Sequence, residues 1–278
     1  MALTKATNRM IDGAKINVRD FGAVGDGVTD DTVAIRAAIV AAELQNDPSG
    51  VVSGTLVLNP GDRYLISDTL QVYNISIEGN GCVIDCATAT TVLNIYGTRM
   101  YVKDFHIIFS GVSTNPLSIG VNMAELGQFS KNIIENIHVR NAYIGWNTEN
   151  TYSTMWGSTF TSCRADFCND WGFNFDCKVG TTTNTFINCH ANAGRLSATA
   201  KGFYFYSIVD LVTINIAVDG MLDGDCIVVS TCQVWTADVI AIESCDIITH
   251  DKKFVTCGAT HATIGKLKLQ SCEVDVGA

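Results

Sequence analysis

An apolar pattern of the β type recurs along this chain at intervals of about 27 residues. The equivalent inward positions that we assign in successive repeats are Ile77, Phe105, Ile137, Cys163, Cys189, Ala217, Cys245 and Cys272. Each repeat carries an apolar row that it cannot bury alone, so each needs its neighbours on both sides. The sequence therefore predicts a solenoid, in which the chain winds back over itself as stacked parallel strands.

Charge restricts the partners of such a solenoid. The net charge is −10, and hydrophobic residues make up 47% of the chain. An acidic exterior argues against nucleic acid, which binds to a basic face, and against an anionic membrane surface. No apolar run reaches the roughly 18–20 residues of a membrane span, so we expect no membrane insertion.

The cysteine pattern favours free thiols. The chain has 11 cysteines, an odd number, and several of them fall on the repeat, where a small hydrophobe fits a stacked core. The spacing of Cys163 and Cys168, and of Cys226 and Cys232, is poor for metal ligands. We therefore expect neither disulfides nor a metal site, and no cofactor.

The N-terminal third predicts a cap for the solenoid. Residues 1–15 are mixed and polar, and we interpret them as an arm or attachment segment, with the β-helix domain spanning 16–278. After the glycine-rich turn Gly22–Gly27, the stretch at about 30–45 has an apolar stripe at helical spacing. We expect this helix, with acids in its first turn, to cover the open end of the first coil.

From residue 79 onward, each coil shows one strand, a polar corner and a second strand. The predicted second strands are Ile144–Asn147, Gly172–Phe175, Gly202–Phe205, Cys226–Val229 and Phe254–Thr256. Two corners are longer than their counterparts, Ser110–Ser118 and Asn192–Lys201. Corner insertions are where solenoids usually carry function.

Two motifs add a family resemblance. Val18–Thr32, VRDFGAVGDGVTDDT, and the later GTLVLNPGDRYLISDTL resemble the opening of the pectate-lyase-like right-handed parallel β-helices, which include phage tailspikes and polysaccharide depolymerases. The preceding ATNRMIDGAKINV resembles the N-terminal lead of phage tail proteins.

The resemblance implies an all-β fold, a single-stranded right-handed parallel β-helix. It also implies a homotrimer in the phage virion, made in the bacterial host cytoplasm, that binds a bacterial surface polysaccharide. The N-terminal segment would attach it to other virion tail proteins.

The catalytic motifs of polygalacturonases do not carry over to this chain. Asn174-Phe175-Asp176 has the form of their Asn-x-Asp, but Gly224-Asp225-Cys226 lacks the second aspartate of their Asp-Asp motif. Neither a Gly-His-Gly nor an Arg-x-Lys follows. The resemblance therefore implies the fold more strongly than any reaction.

One carboxylate pair has spacing that suits catalysis. Trp146 and Phe173 are 27 residues apart and occupy equivalent second-strand positions, so Glu149 and Asp176 become predicted neighbours on adjacent coils. Paired carboxylates serve both retaining and inverting glycosidases, with one of them kept protonated by the other's charge. The alternative is a solvated face that carries two acids. We take Glu149 and Asp176 as candidate catalytic residues.

Acids beside aromatic or amide side chains suit sugar binding, since an indole stacks on a pyranose while a carboxylate accepts hydroxyl hydrogen bonds. The candidate substrate-binding residues are Asn147 and Asn174 on the second strands, Asp166, Asp170 and Trp171 as one cluster on the corner between strands, and Asp223 and Asp225 in a later cluster. Turn aspartates, however, mostly cap their own backbone. His106, His138 and His190 should face outward, and no orienting acid is evident beside them in the sequence.

Three functions remain open at this stage. The leading one is a tailspike-like receptor-binding protein for a bacterial surface glycan. The second is an active polysaccharide depolymerase, either a glycoside hydrolase or a lyase, and the third is a structural virion or baseplate component without a glycan site.

Overall fold

The chain folds as a parallel β-solenoid of about six turns with one α-helix near the N-terminus. The computed structural model describes residues 14–46, 54–123, 128–148, 154–181, 183–194, 200–222, 224–230, 232–243, 245–247, 253–259, 261–270 and 272–274. This confirms the predicted fold class. Within these residues, no helix has the length and apolarity that a membrane crossing requires.

Two large sheets form the walls of the solenoid, and their strand pairs are parallel. The first sheet contains Ile16–Asn17, Asp26–Asp30, Thr55–Val57, Arg63–Ile66, Ser76–Cys86, Tyr101–Phe109, Ile133–Arg140, Thr159–Thr161, Arg164–Asp166, Asn184–Ile187, His190–Asn192, Asp210–Ile214, Ile216–Asp219, Val234–Glu243 and His261–Gln270. The second contains Leu70–Tyr73, Thr91–Thr98, Ile119–Met123, Gln128–Ser130, Ile144–Asn147, Thr154–Trp156, Trp171–Thr181, Lys201–Ile208, Ile227–Ser230 and Val255–Cys257. A two-stranded sheet pairs Asp246–Ile247 with Glu273–Val274.

The predicted capping helix is confirmed as Thr32–Glu43. It packs against the strands Ile16–Asn17, Thr55–Val57 and Leu70–Tyr73, at the first coils of the stack. Its apolar face, which includes the buried Ile35, covers side chains that an open solenoid end would expose to water.

The acids near the start of the helix have a different structural role from the one predicted. They precede the first turn, because the helix begins at Thr32. The Asp31 carboxylate is buried and accepts hydrogen bonds from the backbone N–H of Val24 at 2.6 Å and of Gly25 at 3.0 Å. The Asp30 carboxylate accepts from the Thr32 N–H at 2.9 Å. Asp31 therefore ties the glycine-rich turn to the helix, while Asp30 satisfies one of its free N–H groups.

The interior column follows a different path from the one predicted for its later members. The register places Ile216 beside Ile240, and Ile240 beside Leu267, whereas Ala217 pairs with Ala241 on the outer face. Cys245 is buried too, but it lies beyond the end of the strand Val234–Glu243. The assignment of Ala217, Cys245 and Cys272 to one column with Cys163 and Cys189 was therefore wrong. Ile77 was also misplaced, because the register shifts after Glu78, so that Ile77 pairs with Val102 and Cys82 pairs with Phe105.

Corner length explains the error in the later members. The step from Phe173 to Phe203 is 30 residues (203 − 173), and the next step, from Phe203 to Ile227, is 24 (227 − 203). The corner between the sheets is long in one coil and short in the next. Strand pairing keeps the stack in register in spite of this variation, so a uniform period misplaces the later residues.

The described cysteines are free thiols, as predicted. Cys163 and Cys189 are fully buried in the core. Burial raises the pKa of Cys82 and of Cys168 to about 12 in each case. Such thiols stay protonated near neutral pH and act as small hydrophobes in the core.

Aromatic rings stack along the solenoid axis inside the core. Phe160 lies 4.7 Å from Phe186 between ring centroids, with the planes 5° apart. Phe173 lies 4.5 Å from Phe203 with planes 9° apart, and it also stacks on Trp146. Parallel pairing places these equivalent side chains directly above one another.

Glycines occupy crowded positions in the narrow interior between the two sheets. A Cβ on Gly145 would lie 2.6 Å from the Gly172 carbonyl oxygen and 2.8 Å from the Ala165 Cβ. A Cβ on Gly172 would lie 2.8 Å from the Ala191 Cβ. These positions therefore exclude side chains because backbone and core atoms fill the space.

We expect Gly145→Ala to lower the free energy of unfolding by about 1–3 kcal/mol, since the added methyl forces backbone and core atoms apart. Urea denaturation followed by circular dichroism measures this change. Gly111→Ala is the control, because a Cβ at Gly111 meets no atom within 4 Å and should cost less than about 0.5 kcal/mol. Equal stability of the two variants would contradict this account of the narrow interior.

Candidate functional site

An aromatic platform lies on the outside of the second sheet and consists of Trp171, Tyr204 and Tyr206. Trp171 opens its strand, and its ring centroid lies 5.1 Å from that of Tyr204. Tyr204 and Tyr206 stack at 6.2 Å with planes 9° apart. They alternate with the buried Phe203 and Phe205, so the strand period directs them outward. All three platform rings are half-buried.

A charged pair borders the platform at the Trp171 end. Lys201 is aligned with Trp171 on the next coil, and its Nζ lies 4.8 Å from the centre of the Trp171 ring. The same Nζ lies 2.7 Å from Asp170 Oδ1. Burial and the nearby Asp170 carboxylate raise the pKa of Tyr143. The structure therefore brings together the predicted residues Asp170 and Trp171 and adds Lys201, which the sequence did not single out.

Asp176 borders the platform at its other end. It is aligned with Tyr206 on the next coil. Its Oδ1 is buried and has no hydrogen-bond partner among the described residues. Burial, followed by the Asp176 charge, raises the pKa of Tyr204. A buried carboxylate oxygen without a protein partner is uncommon in folded proteins, and such an oxygen can be satisfied by a bound water, an ion or a ligand.

Asn147 and Asn174 occupy different surroundings from those expected of sugar contacts. Their predicted register is confirmed, but both side chains are buried. The Asn174 amide donates to Asn147 Oδ1 at 2.8 Å, and the Asn147 amide donates to Asn122 Oδ1 at 3.0 Å. Asn122 in turn donates to Asn94. These four residues form an amide ladder that links successive coils, so the Asn147 and Asn174 amides are occupied by the protein itself.

Asp166 belongs to a separate cluster on the first sheet rather than to the corner with Asp170. Its Oδ2 lies 2.7 Å from His138 Nε2 and 3.3 Å from Arg164 Nη2. His138 stands beside His106 with ring centroids 5.3 Å apart, and His190 pairs with Arg164 on the next coil. We call His106, His138, Arg164, Asp166 and His190 the histidine cluster.

The cluster contains groups with shifted pKa values. Burial alone raises the pKa of Asp166, but contact with His138 and the charge of Arg164 outweigh it, and the net pKa is lowered. Burial lowers the pKa of His190, and Arg164 lowers it further. Burial and the neighbouring His138 also lower the pKa of His106. A carboxylate in contact with an imidazole is an arrangement that can transfer protons.

Sequence reasoning missed the pairing of His138 with Asp166, although a signal for it exists. Arg164 aligns with His138 on the next coil, and Asp166 is two residues further along the same outer face. The motif Arg164-x-Asp166, one repeat after His138, therefore places the acid diagonally opposite the histidine. Once the register is known, this diagonal is within reach of long side chains.

The remaining predicted site residues lie elsewhere. Asp225 Oδ1 accepts a hydrogen bond from the backbone N–H of Lys253 on the next coil at 3.1 Å, so this carboxylate links two coils. Glu149 and Asp223 lie outside the described residues, as does most of the predicted arm at 1–15. The pairing of Glu149 with Asp176 therefore stays a prediction.

Sequence similarity relates only part of this chain to known proteins. Residues 15–115 match the family model described as rhamnogalacturonase A/epimerase, pectate lyase-like. Mannuronan C5-epimerase AlgE6 of Azotobacter vinelandii is 54% identical over 70 residues, which cover 24% of this chain and 6% of that protein. The non-secreted LysM effector LysM19 of Penicillium expansum is 36% identical over 94 residues, covering 32% of this chain and 8% of that protein.

Similar solved structures cover far more of the chain. The gp42 tailspike of Acinetobacter phage vb_AbaP_AS12 has a TM-score of 0.70 at 16% identity, and the match covers 94% of this chain and 46% of that one. The chain has the pectate-lyase-like β-helix fold. The phiAB6 tailspike, solved in complex with three-repeated oligosaccharides of Acinetobacter baumannii surface polysaccharide, has a TM-score of 0.63 at 18% identity, with 94% and 49% covered. The chain thus spans about half the length of these tailspikes and under a tenth of those curated relatives.

The lowered pKa values of His106 and His190 predict that acid destabilises the fold. Unfolded histidine has a pKa near about 6.5, so below this pH the unfolded chain binds protons that the folded chain resists. Stability is therefore greatest above neutral pH and falls as the pH drops from about 6.5 through the lower folded pKa values. Thermal unfolding at pH 7.5 and 5.5 measures the effect.

His190→Gln should reduce this loss of unfolding temperature at acidic pH, because it removes a group that resists protonation. His261→Gln, at an exposed histidine of the last coil, is the matched control. An unchanged acid sensitivity in His190→Gln would show that the histidine cluster does not cause it.

Proposed function

We propose that this chain is a receptor-binding component of a phage tail that binds a bacterial surface polysaccharide. The aromatic platform, with carboxylates at both of its ends, carries this proposal. The chain acts as a homotrimer and attaches to other tail proteins through its N-terminal segment. Its fold, shared with tailspikes such as that of phiAB6, supports this assignment.

The platform has the chemistry that sugar binding requires. The flat rings of Trp171 and Tyr204 offer apolar faces for the C–H side of a pyranose ring. Asp170 and Lys201 supply acceptors and donors for hydroxyl groups at one end. Asp176, which is half-buried, places a carboxylate beside Tyr206 at the other end. A few polar groups placed around an apolar surface fix the orientation of a bound ligand.

Trp171→Ala should weaken glycan binding by about 2 kcal/mol or more, roughly 30-fold, because a central aromatic anchor dominates the binding energy. Biolayer interferometry against a panel of purified bacterial capsular and O-antigen polysaccharides measures the affinity. The first step identifies a polysaccharide that the unaltered chain binds. The second compares the variants on that polysaccharide.

Trp156→Ala is the matched control. Trp156 is also half-buried and also lies under a lysine, with Lys131 Nζ 4.5 Å from its ring centre, but it is not part of the aromatic platform. Its loss should leave glycan affinity unchanged. Equal weakening by both substitutions would remove the platform from the proposal, and binding to no polysaccharide would favour the structural virion component.

A second candidate function is cleavage of the bound glycan. The 2.7 Å contact between His138 and Asp166 favours these two residues as an acid–base pair. The Asp176 Oδ1, which has no hydrogen-bond partner among the described residues, favours Asp176, the carboxylate that the sequence predicts. Release of new reducing ends from a bound polysaccharide would demonstrate the activity. Asp176→Asn and His138→Gln, assayed separately, show which group is used: the essential substitution abolishes release, whereas the other leaves it largely intact. Binding without any release by the unaltered chain would leave receptor binding alone.

A further inference from the structure

A polar cleft lies between two adjacent coils, outside both the aromatic platform and the histidine cluster. Its volume is about 340 Å³, and it is formed by the turn that follows Cys86 and by the corner insertion Ser110–Ser118. Cys86 and Phe109 are register partners on neighbouring strands, so the two turns face each other across one coil step. A cavity of this size is at the lower end of the range for small-molecule sites.

The insertion is held in place by its own hydrogen bonds. The Ser113 hydroxyl donates to the Ser118 hydroxyl oxygen at 2.7 Å, and the Ser113 backbone N–H donates to the Asn141 carbonyl at 2.9 Å. Asn115 Oδ1 accepts from the Leu117 N–H at 3.0 Å. The wall of the cleft is therefore formed in advance, and a ligand does not need to order it.

The chemistry of the lining selects an uncharged ligand. None of the described side chains that line the cleft carries a charge. Hydroxyl groups of Ser110 and Thr114 and the amide of Asn115 offer donors and acceptors, while Val112, which is 39% exposed, offers an apolar surface. Neutral donors and acceptors around an apolar wall match a sugar ring, which carries hydroxyl groups on its rim and C–H bonds on its faces.

A continuous path of backbone hydrogen bonds connects the cleft to the aromatic platform. The Tyr143 N–H donates to the Ser118 carbonyl at 2.8 Å, and the Asp170 N–H donates to the Tyr143 carbonyl at 2.9 Å. The Lys201 N–H then donates to the Asp170 carbonyl at 2.7 Å. Ser118 and Asp170 are thus two strand spacings apart, about 10 Å along the solenoid axis. A short oligosaccharide spans this distance.

We propose that this cleft is a subsite for one uncharged sugar residue, a hexose or an N-acetylhexosamine, of the glycan that stacks on Trp171. The inference rests on the proposed function for the identity of that glycan. The glycan then runs parallel to the solenoid axis, with one residue between the insertion Ser110–Ser118 and the turn after Cys86.

Saturation-transfer NMR with free monosaccharides tests the cleft by itself. The probes are D-glucose, D-galactose and N-acetyl-D-glucosamine, with D-glucuronate as the charged counterpart. We expect a signal from at least one neutral sugar and a weaker one from glucuronate. In a Trp171→Ala background, which removes stacking of free sugar on the platform, Ala89→Trp places an indole in the exposed turn of the cleft and should abolish the remaining neutral-sugar signal, whereas Ala37→Trp, at an exposed position of the helix, should preserve it.

Thr114→Val provides a second test that does not depend on tolerance of a bulky residue. It removes one hydroxyl at an exposed position with little change of shape, and it should reduce the neutral-sugar signal severalfold. Absence of a neutral-sugar signal, insensitivity of that signal to both cleft variants, or a preference for glucuronate would overturn the inference.

The Trp171 variant and the cleft variants test the receptor role and the cleft separately. If Trp171→Ala leaves polysaccharide affinity intact while Ala89→Trp still abolishes the monosaccharide signal, the cleft is a sugar site and the platform proposal fails. If Trp171→Ala weakens polysaccharide binding but the monosaccharide signal ignores the cleft variants, the proposed function stands and the cleft inference fails.

Discussion

Parallel hydrogen bonding between successive coils is the interaction on which the rest of this structure depends. Strands pair in parallel with their equivalents on the next coil, and wherever the register is regular this pairing places like positions roughly 4.8 Å apart. A residue therefore gains neighbours that are distant in sequence but equivalent in the repeat. The stacked rings of Phe160 and Phe186 and the amide ladder through Asn147 and Asn174 follow from this one constraint.

The stacked side chains also reinforce the pairing that produces them. In the amide ladder, the side-chain amide of Asn174 donates to Asn147 Oδ1, and that of Asn147 donates to the Oδ1 of the asparagine one coil earlier. A register slip would leave these buried amide groups unpaired, at a cost of about 1–3 kcal/mol each. In the interior, a slip would push side chains against backbone at Gly145 and Gly172. Hydrogen bonding of the buried amides and steric exclusion at the glycines therefore select the same register. That register also places Trp171 and Tyr204 side by side on the outer face.

Both features proposed to contact a glycan begin at corners between the sheets, where strand pairing does not fix the length of the chain. The aromatic platform begins where Trp171 leaves a corner, and the polar cleft is built by the corner insertion Ser110–Ser118. Both lie along one line of backbone hydrogen bonds parallel to the axis. Because the chain has a net charge of −10, the cleft lining is uncharged and Asp170 is paired with Lys201, we expect the proposed glycan to be largely neutral rather than a polyanion.

The sequence by itself determined the solenoid, the capping helix at Thr32–Glu43 and strands such as Ile144–Asn147, because periodicity and alternation are local properties of the chain. Only the tertiary structure decided that Ala217 faces outward, that Asn147 is buried, and that Asp166 contacts His138 rather than joining Asp170. For Asn147 and Asp166, whose coil registers follow the repeat, burial and a diagonal side-chain contact between coils decided the outcome. For Ala217 the physical reason is corner length. Each coil adds its own number of residues between the sheets, so lateral partners depend on the accumulated register, which no local pattern records.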